Sequence, residues 1–149
     1  MTGHPAEARV GETLLSYEMP VERGKVREFA LATGSADPAY QADDAVVPPT
    51  FLTASAFWEP TDGPSLVERL GVDLPRVLHG GQEYSFPGEL PRVGDELAVD
   101  VTIESVTVKE GKRGGSMTFL VVLTTFRRGS HDGPVVAEGR STVIERSAG

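Results

Sequence analysis

Cysteine is absent from the 149 residues of the chain. Disulfides, thiolate nucleophiles and cysteine-ligated zinc or iron–sulfur centres are therefore excluded. Long apolar runs are missing too, since no stretch approaches the ~20 consecutive apolar residues that a membrane-spanning helix needs. The opening residues, Met1-Thr2-Gly3-His4-Pro5-Ala6-Glu7, lack the basic start and apolar core of a secretory signal. A cytoplasmic location is the expectation. Lysine is scarce: Lys25, Lys109 and Lys112 stand among 14 cationic residues, and no run of Lys and Arg forms a basic stripe. Against 22 acidic residues the formal charge is -8, which repels a phosphate backbone, so nucleic acid is not an expected partner. His and carboxylate residues do not cluster at metal-ligand spacing. Neither a metal nor a cofactor is expected.

What is present is a globular composition, 39% hydrophobic and 24% charged, in a length that buries one core. The expectation is a single domain over 1–149, with frayed ends near 1–10 and 146–149 that would leave His4 solvated. Thr13 to Met19 mixes apolar and polar residues over a strand's length and stops at Pro20. From Val21 to Thr33, Val26, Phe29, Ala30 and Thr33 recur at the spacing of one helix face, and Gly34 follows as a C-terminal cap. Beyond Pro48-Pro49 a second helix is predicted from Thr50 to Trp58. It is apolar on nearly every side, so the rest of the fold or a partner chain should bury it. A short third helix is predicted over Ser65 to Leu70, ending at Gly71.

Four strands are predicted next: Arg76 to Phe86, Glu96 to Val108, Thr118 to Arg127 and Val135 to Ile144. In the second, Leu97, Val99, Val101 and Ile103 share one face, but past Ser105 the apolar positions shift to Val106 and Val108. A phase change of this kind marks a bulge in a long curved strand. The third is apolar on both faces, which places it in the middle of the sheet with cover on each side. Turns at Pro91-Arg92-Val93-Gly94-Asp95, Glu110 to Gly115 and Ser130-His131-Asp132-Gly133-Pro134 separate the strands. The fold class expected is α+β, a curved antiparallel sheet wrapped around a central buried helix.

This order of elements, with Ala32-Thr33-Gly34-Ser35-Ala36-Asp37-Pro38-Ala39-Tyr40, Val47-Pro48-Pro49-Thr50-Phe51, Val77-Leu78-His79-Gly80-Gly81-Gln82-Glu83-Tyr84 and Leu90-Pro91-Arg92-Val93-Gly94-Asp95, resembles the MaoC-like group of hot-dog proteins. The resemblance spans about Tyr17 to Glu145, and is to the N-terminal dehydratase half found in (R)-specific enoyl thioester hydratases and two-subunit hydroxyacyl dehydratases of actinobacteria. It implies a lyase of fatty acid or polyketide metabolism, acting on a thioester of coenzyme A or of an acyl carrier protein. The catalytic halves of that family carry Gly-Asp-x-Asn-Pro-x-His, whose His handles the proton at C2 and whose Asp handles the water at C3. Matched from Gly34 and Pro38, this chain has Ser35 for the Asp, Asp37 for the Asn and Tyr40 for the His. Tyr, with an ordinary pKa near ~10, is a poor base at neutral pH, and Ser does not ionise to assist it. The resemblance therefore implies a chain that keeps the fold without the catalytic pair, shaping an acyl-binding tunnel beside a catalytic partner.

The residues weighed for binding are Pro49, Thr50, Phe51, Phe57 and Trp58 at the apolar helix, and His79, Gly80, Gly81 and Gln82 on the strand after it. Phe51, Phe57 and Trp58 serve equally as core. For chemistry on this chain the candidates are Asp37, His79 and Glu83. Asp37 is also a turn residue before Pro38. His79 and Glu83, four apart on one strand, are expected to share a face ~13 Å apart, too far for a direct pair. His131 is expected to be solvated in its turn. The Gly111-Lys112-Arg113-Gly114-Gly115 loop is either a flexible hairpin tip or a contact for a phosphate or an acidic carrier protein. Two alternatives to a non-catalytic subunit stay open: a self-sufficient homodimeric dehydratase or thioesterase, and an acyl-ligand binding module without chemistry.

Overall fold

The computed structural model describes residues 3–112 and 114–148. The fraying expected at Met1, Thr2 and Gly149, and the place of Arg113 in its loop, lie outside the described residues. β1 (Thr13–Pro20) leads into α1 (Arg23–Ala32), then come α2 (Leu66–Leu70) and the run β2 (Val77–Ser85), β3 (Glu96–Glu110), β4 (Ser116–Arg128) and β5 (Val135–Arg146). The five strands form one antiparallel sheet in the order β1-β3-β4-β5-β2, so β1 and β2 are its two edges. The fold class is α+β, as the periodicities predict, and no helix among the described residues is long and apolar enough to cross a membrane.

Local chemistry explains most boundaries. α2 opens with a reciprocal cap, in which Ser65 accepts from the Glu68 backbone while Glu68 accepts from the Ser65 N–H. It closes on Gly71, whose φ of 68° only glycine adopts without strain. The predicted phase change in β3 is a bulge between Ile103 and Ser105. β4 sits third of five, and its Leu120, Val122 and Phe126 are buried against the core. Its other face is less covered: Phe119, Val121 and Leu123 are half-buried, and no helix among the described residues packs extensively against β4 at that face.

The element expected as a central helix is shorter and tighter than predicted. Phe51–Trp58 is a 3-10 segment, with Phe51, Leu52, Ala54 and Ser55 buried on the inner face of the sheet and Phe57 79% exposed. Six of its eight residues are aromatic, β-branched, hydroxyl-bearing or Leu, with Ala contributing little bulk. Pro48-Pro49 in front and Glu59-Pro60 behind leave no room for more than two turns. α1 completes the core through Val26 and Ala30, and Phe29 meets Phe51 edge-on with ring centroids 5.6 Å apart.

Within the described residues, both terminal segments bond to the body of the fold. Pro5–Arg9 forms a 3-10 turn with Ala6 buried, and Ser147 bonds through its N–H to the Ser116 carbonyl at 2.8 Å. His4, expected in solvent, is half-buried with its ring largely covered: one ring nitrogen accepts from the Ala6 N–H at 3.1 Å and the other lies 2.9 Å from Glu145.

Candidate functional site

The Gly34–Tyr40 segment is a turn. Gly34 takes a φ of 77°, Asp37 accepts from the Ala39 N–H at 2.9 Å and caps Pro38–Tyr40, and Ser35 accepts from the Asp37 N–H at 3.4 Å. Asp37 is exposed, in the backbone-bonding role weighed for it, while Ser35 and Tyr40 are half-buried. These side chains and the β2 candidates make no hydrogen bond to one another among the described residues.

On β2 the glycine pair changes the geometry. Pairing to β5 runs His79 with Val143 and Gly81 with Thr142, leaving Gly80 as an extra, bulged residue. A Cβ on Gly80 would lie 2.7 Å from the Ile144 Cδ1 and 3.2 Å from the Thr142 Cγ2, so a larger residue there would have to push these side chains aside. The bulge inverts the alternation. His79 and Gln82 point to the inner face, whereas Glu83 pairs across from Arg140 and points to the outer one. The expected shared face of His79 and Glu83 therefore does not exist. Both residues are exposed.

The polar chemistry of the inner face lies elsewhere. Where Phe51–Trp58 crosses the sheet, a cavity of about 110 Å³ is lined by Leu52, Ser55, Gln82, Tyr84, Phe126 and Gly139, with Thr53, Thr124 and Ser141 also on its wall. Tyr84 and Thr53 join their hydroxyls at 2.7 Å. Gly139 makes room for this arrangement, because a Cβ there would sit 2.9 Å from the Tyr84 ring. Tyr17, buried on β1, faces Ser55 from the other side. Burial pushes the Tyr17 phenol up to about 12, Ser55 partly offsets this, and the nearby Glu59 and Tyr84 add to it. Burial also raises Tyr84, against the bond from Thr53, and raises the carboxyl of Glu59 above its ordinary value.

At neutral pH both phenols keep their protons. Such a cluster can donate hydrogen bonds to an oxygen-bearing group, but phenols and alcohols that keep their protons do not take a proton from carbon. Among the residues expected to bind substrate, Gln82 lines this cavity. Phe51 is core, Trp58 packs half-buried against it, Pro49 and Thr50 are exposed at its entry, and Phe57 stands outside with the Lys25 ammonium 5.5 Å from its ring. Tyr17, Ser55, Glu59 and Tyr84 were not singled out by the sequence. The available signal was Tyr17 between Leu15 and Met19 on the inward positions of β1, a polar tip among apolar neighbours. His131 is exposed as expected but lies 3.0 Å from Asp100, and no metal-binding cluster of His, Asp and Glu exists among the described residues.

Known proteins similar to this chain fall into one group. The sequence model of a family described as "FAS1-like, dehydratase domain region" matches residues 8–138. A UPF0336 protein of Streptomyces coelicolor is 38% identical over 103 residues, covering 61% of this chain and 65% of the relative. A UPF0336 protein of Streptomyces griseus is 41% identical over 103 residues, covering 61% and 64%. The chain thus spans just under two thirds of the length of these two relatives. A UPF0336 protein of Saccharopolyspora erythraea is 29% identical over 143 residues, covering 88% and 83%. Among solved structures, the HadBC (3R-hydroxyacyl-ACP dehydratase) complex of Mycobacterium tuberculosis matches with a TM-score of 0.66 at 23% identity, covering 87% of this chain and 94% of that one. The ChsH1–ChsH2 complex of the same organism matches with a TM-score of 0.71 at 18% identity, covering 97% and 89%. A MaoC-like dehydratase from Rhodospirillum rubrum matches at 0.66 and 18%, covering 99% of both chains. These structural likenesses are of fold.

Proposed function

Because the chain belongs to the FAS1-like dehydratase family of hot-dog proteins, we propose that it is the substrate-binding, non-catalytic subunit of a dehydratase or hydratase acting on (R)-3-hydroxyacyl or enoyl thioesters. The observation that carries this reading is Ser35 and Tyr40, which stand where the catalytic halves of the family place their Asp and His. The partner chain would supply both catalytic groups. This chain would supply the wall that orients the thioester and its acyl tail, with Tyr17, Ser55, Gln82 and Tyr84 as the hydrogen-bonding groups and the thioester borne by coenzyme A or by a carrier protein.

Two features support a partner. β2 is an edge strand, with Leu78 48% exposed, and the unpaired backbone of an edge is a template for another strand. The HadBC and ChsH1–ChsH2 structures are themselves complexes. A cavity of about 110 Å³ is far below the ~300–1,000 Å³ of a small-molecule site, which supports a site that a second chain completes.

The test is hydration of crotonyl-CoA, and of its carrier-protein form, by the purified chain alone and mixed with a hot-dog subunit that keeps the Asp and His of the motif. The expected result is no turnover alone and turnover in the mixture. Turnover by the isolated chain at the rate of the mixture overturns the reading.

A further inference from the structure

Resting on the thioester reading above, we propose that the cavity beneath Phe51–Trp58 selects acyl chains bearing a neutral oxygen, a hydroxyl or a ketone, beyond the reacting carbons. On that reading C2 and C3 lie against the partner's catalytic pair, so the rest of the acyl chain is what reaches this chain's own cavity. The wall there is not hydrocarbon-like. Thr53, Ser55, Gln82, Tyr84, Thr124 and Ser141 line it with five hydroxyls and an amide. Ser55 is buried, Tyr84, Thr124 and Ser141 are half-buried, and Thr53 and Gln82 are exposed, which opens the cavity on their side.

Strand register explains why these groups converge. Gly139 of β5 pairs with Thr124 on one side and Tyr84 on the other, and Ser141 pairs with Gln82, so four polar side chains face inward around a residue without one. A Cβ on Gly139 would lie 2.9 Å from the Tyr84 ring and 3.5 Å from the Gln82 Nε2, so its absence keeps the space open. Neighbouring inner positions of β4 and β5, Leu120, Val122, Phe126 and Ala137, are buried and apolar. A pocket for plain alkyl chains would continue that pattern, and inward-facing polar groups are the informative departure from it.

Size, charge and bonding capacity narrow the ligand further. About 110 Å³, at the ~30 Å³ share of a water molecule, holds about three or four non-hydrogen atoms, the size of a ketone or alcohol end. Among the described residues the wall carries no charged side chain, so a carboxylate or an ammonium would shed its water with no counter-ion to replace it. Tyr84 and Thr53 share one hydrogen bond of 2.7 Å, whereas the side chains of Gln82, Thr124 and Ser141 make none among the described residues. An alkyl end would cover those donors and acceptors without pairing them. A neutral oxygen pairs with them.

The experiment uses two pairs of N-acetylcysteamine thioesters matched in shape: 5-oxohexanoyl with 5-methylhexanoyl, and 6-hydroxyhexanoyl with heptanoyl. Each is titrated into the isotope-labelled full chain, alone and mixed with an unlabelled hot-dog subunit that keeps the Asp and His of the motif, and backbone amides are followed by NMR. In at least one pair the oxygenated member should bind at least about fivefold tighter, the worth of one net hydrogen bond, with shifts centred on Gln82–Tyr84, Thr124 and Gly139–Ser141. Gln82→Leu with Thr124→Val removes two polar groups at little change in volume and should bring that pair to within about twofold. If this variant does not fold, the wild-type preference and its shift map decide. Equal or tighter binding of the alkyl member in both pairs, an unchanged preference in the folded variant, shifts centred elsewhere, or no binding of any of the four would overturn the proposal. Turnover of crotonyl-CoA by the mixture is read separately. With turnover and an alkyl preference the subunit reading stands and the selective cavity falls, whereas with an oxygen preference and no turnover the reverse holds.

Discussion

Two polar clusters flank the core, and they are built on opposite terms. At one end Glu145 is a closed node: one carboxylate oxygen accepts from the Asp73 N–H at 2.7 Å and from Arg76 at 3.1 Å, and the other meets His4 at 2.9 Å. Arg76 is completed by Asp73 and the Arg146 carbonyl. Both carboxylate oxygens of Glu145 have partners within the chain, and the three segments it joins are distant in sequence. At the other end, Tyr17, Tyr84 and Glu59 are held in burial that disfavours their charged forms, and Tyr84 lines a cavity whose wall also carries the hydroxyls of Ser55, Thr124 and Ser141. A satisfied buried network fastens a fold, whereas buried groups with shifted ionisation and spare bonding capacity mark a place for something else.

The comparison breaks most visibly at Glu145. Glu145→Ala removes the acceptor shared by His4, Asp73 and Arg76, and should lower unfolding stability by about 3 kcal/mol, measured by urea denaturation. A loss below about 0.5 kcal/mol, the usual size for exposed surface substitutions, would show the node to be decorative. Next in size is Gly139→Ala, which places a methyl 2.9 Å from the Tyr84 ring. It should cost about 2 kcal/mol. If the proposed pairing with a catalytic subunit holds, it should also lower the activity of the mixture more than Glu145→Ala does at equal folded fraction, since it displaces the Tyr84 phenol on the cavity wall. The opposite order of activities would remove the functional distinction between the clusters.

Legibility in the sequence followed the range of the physics. The strands, the α2 cap and the β3 bulge are encoded by neighbours a few residues apart, and periodicity and turn chemistry read them directly. Phe51–Trp58 defeated the same method because an apolar segment without a polar face carries no phase, and its flanking prolines limit its length more than propensity suggests. The bulge at Gly80 was visible as a glycine pair, but its effect, sending Glu83 to the outer face, appears only once β2 is registered against β5. His4 and Glu145 are 141 positions apart, and Tyr17 and Tyr84 lie on opposite edges of the sheet. Pairs of that kind are products of topology. The altered motif at Ser35 and Tyr40 was legible from the resemblance, whereas the hydroxyl cluster required the folded chain.

The smallest change at neutral pH gives the sharpest test of the second cluster. Tyr17→Phe deletes a buried hydroxyl facing Ser55 and should cost about 1 kcal/mol at pH 7. The cost should shrink and then reverse in alkali. Tyr17 in the folded chain ionises near pH 12, because burial disfavours the phenolate, whereas in the unfolded chain it ionises near its ordinary value of 10. A raised folded-state value means that this contribution is fully present below pH 10 and is lost as pH rises through the folded value. The wild type gives up that stability over this window, while the variant has no group at 17 to ionise. Stability curves for the two proteins should therefore converge above pH 10, accompanied by loss of one late phenolate transition at 295 nm in the variant. Parallel curves across the window would mean that Tyr17 ionises as it does in water. The burial that holds the Tyr17 phenol in its neutral form would then not hold in solution.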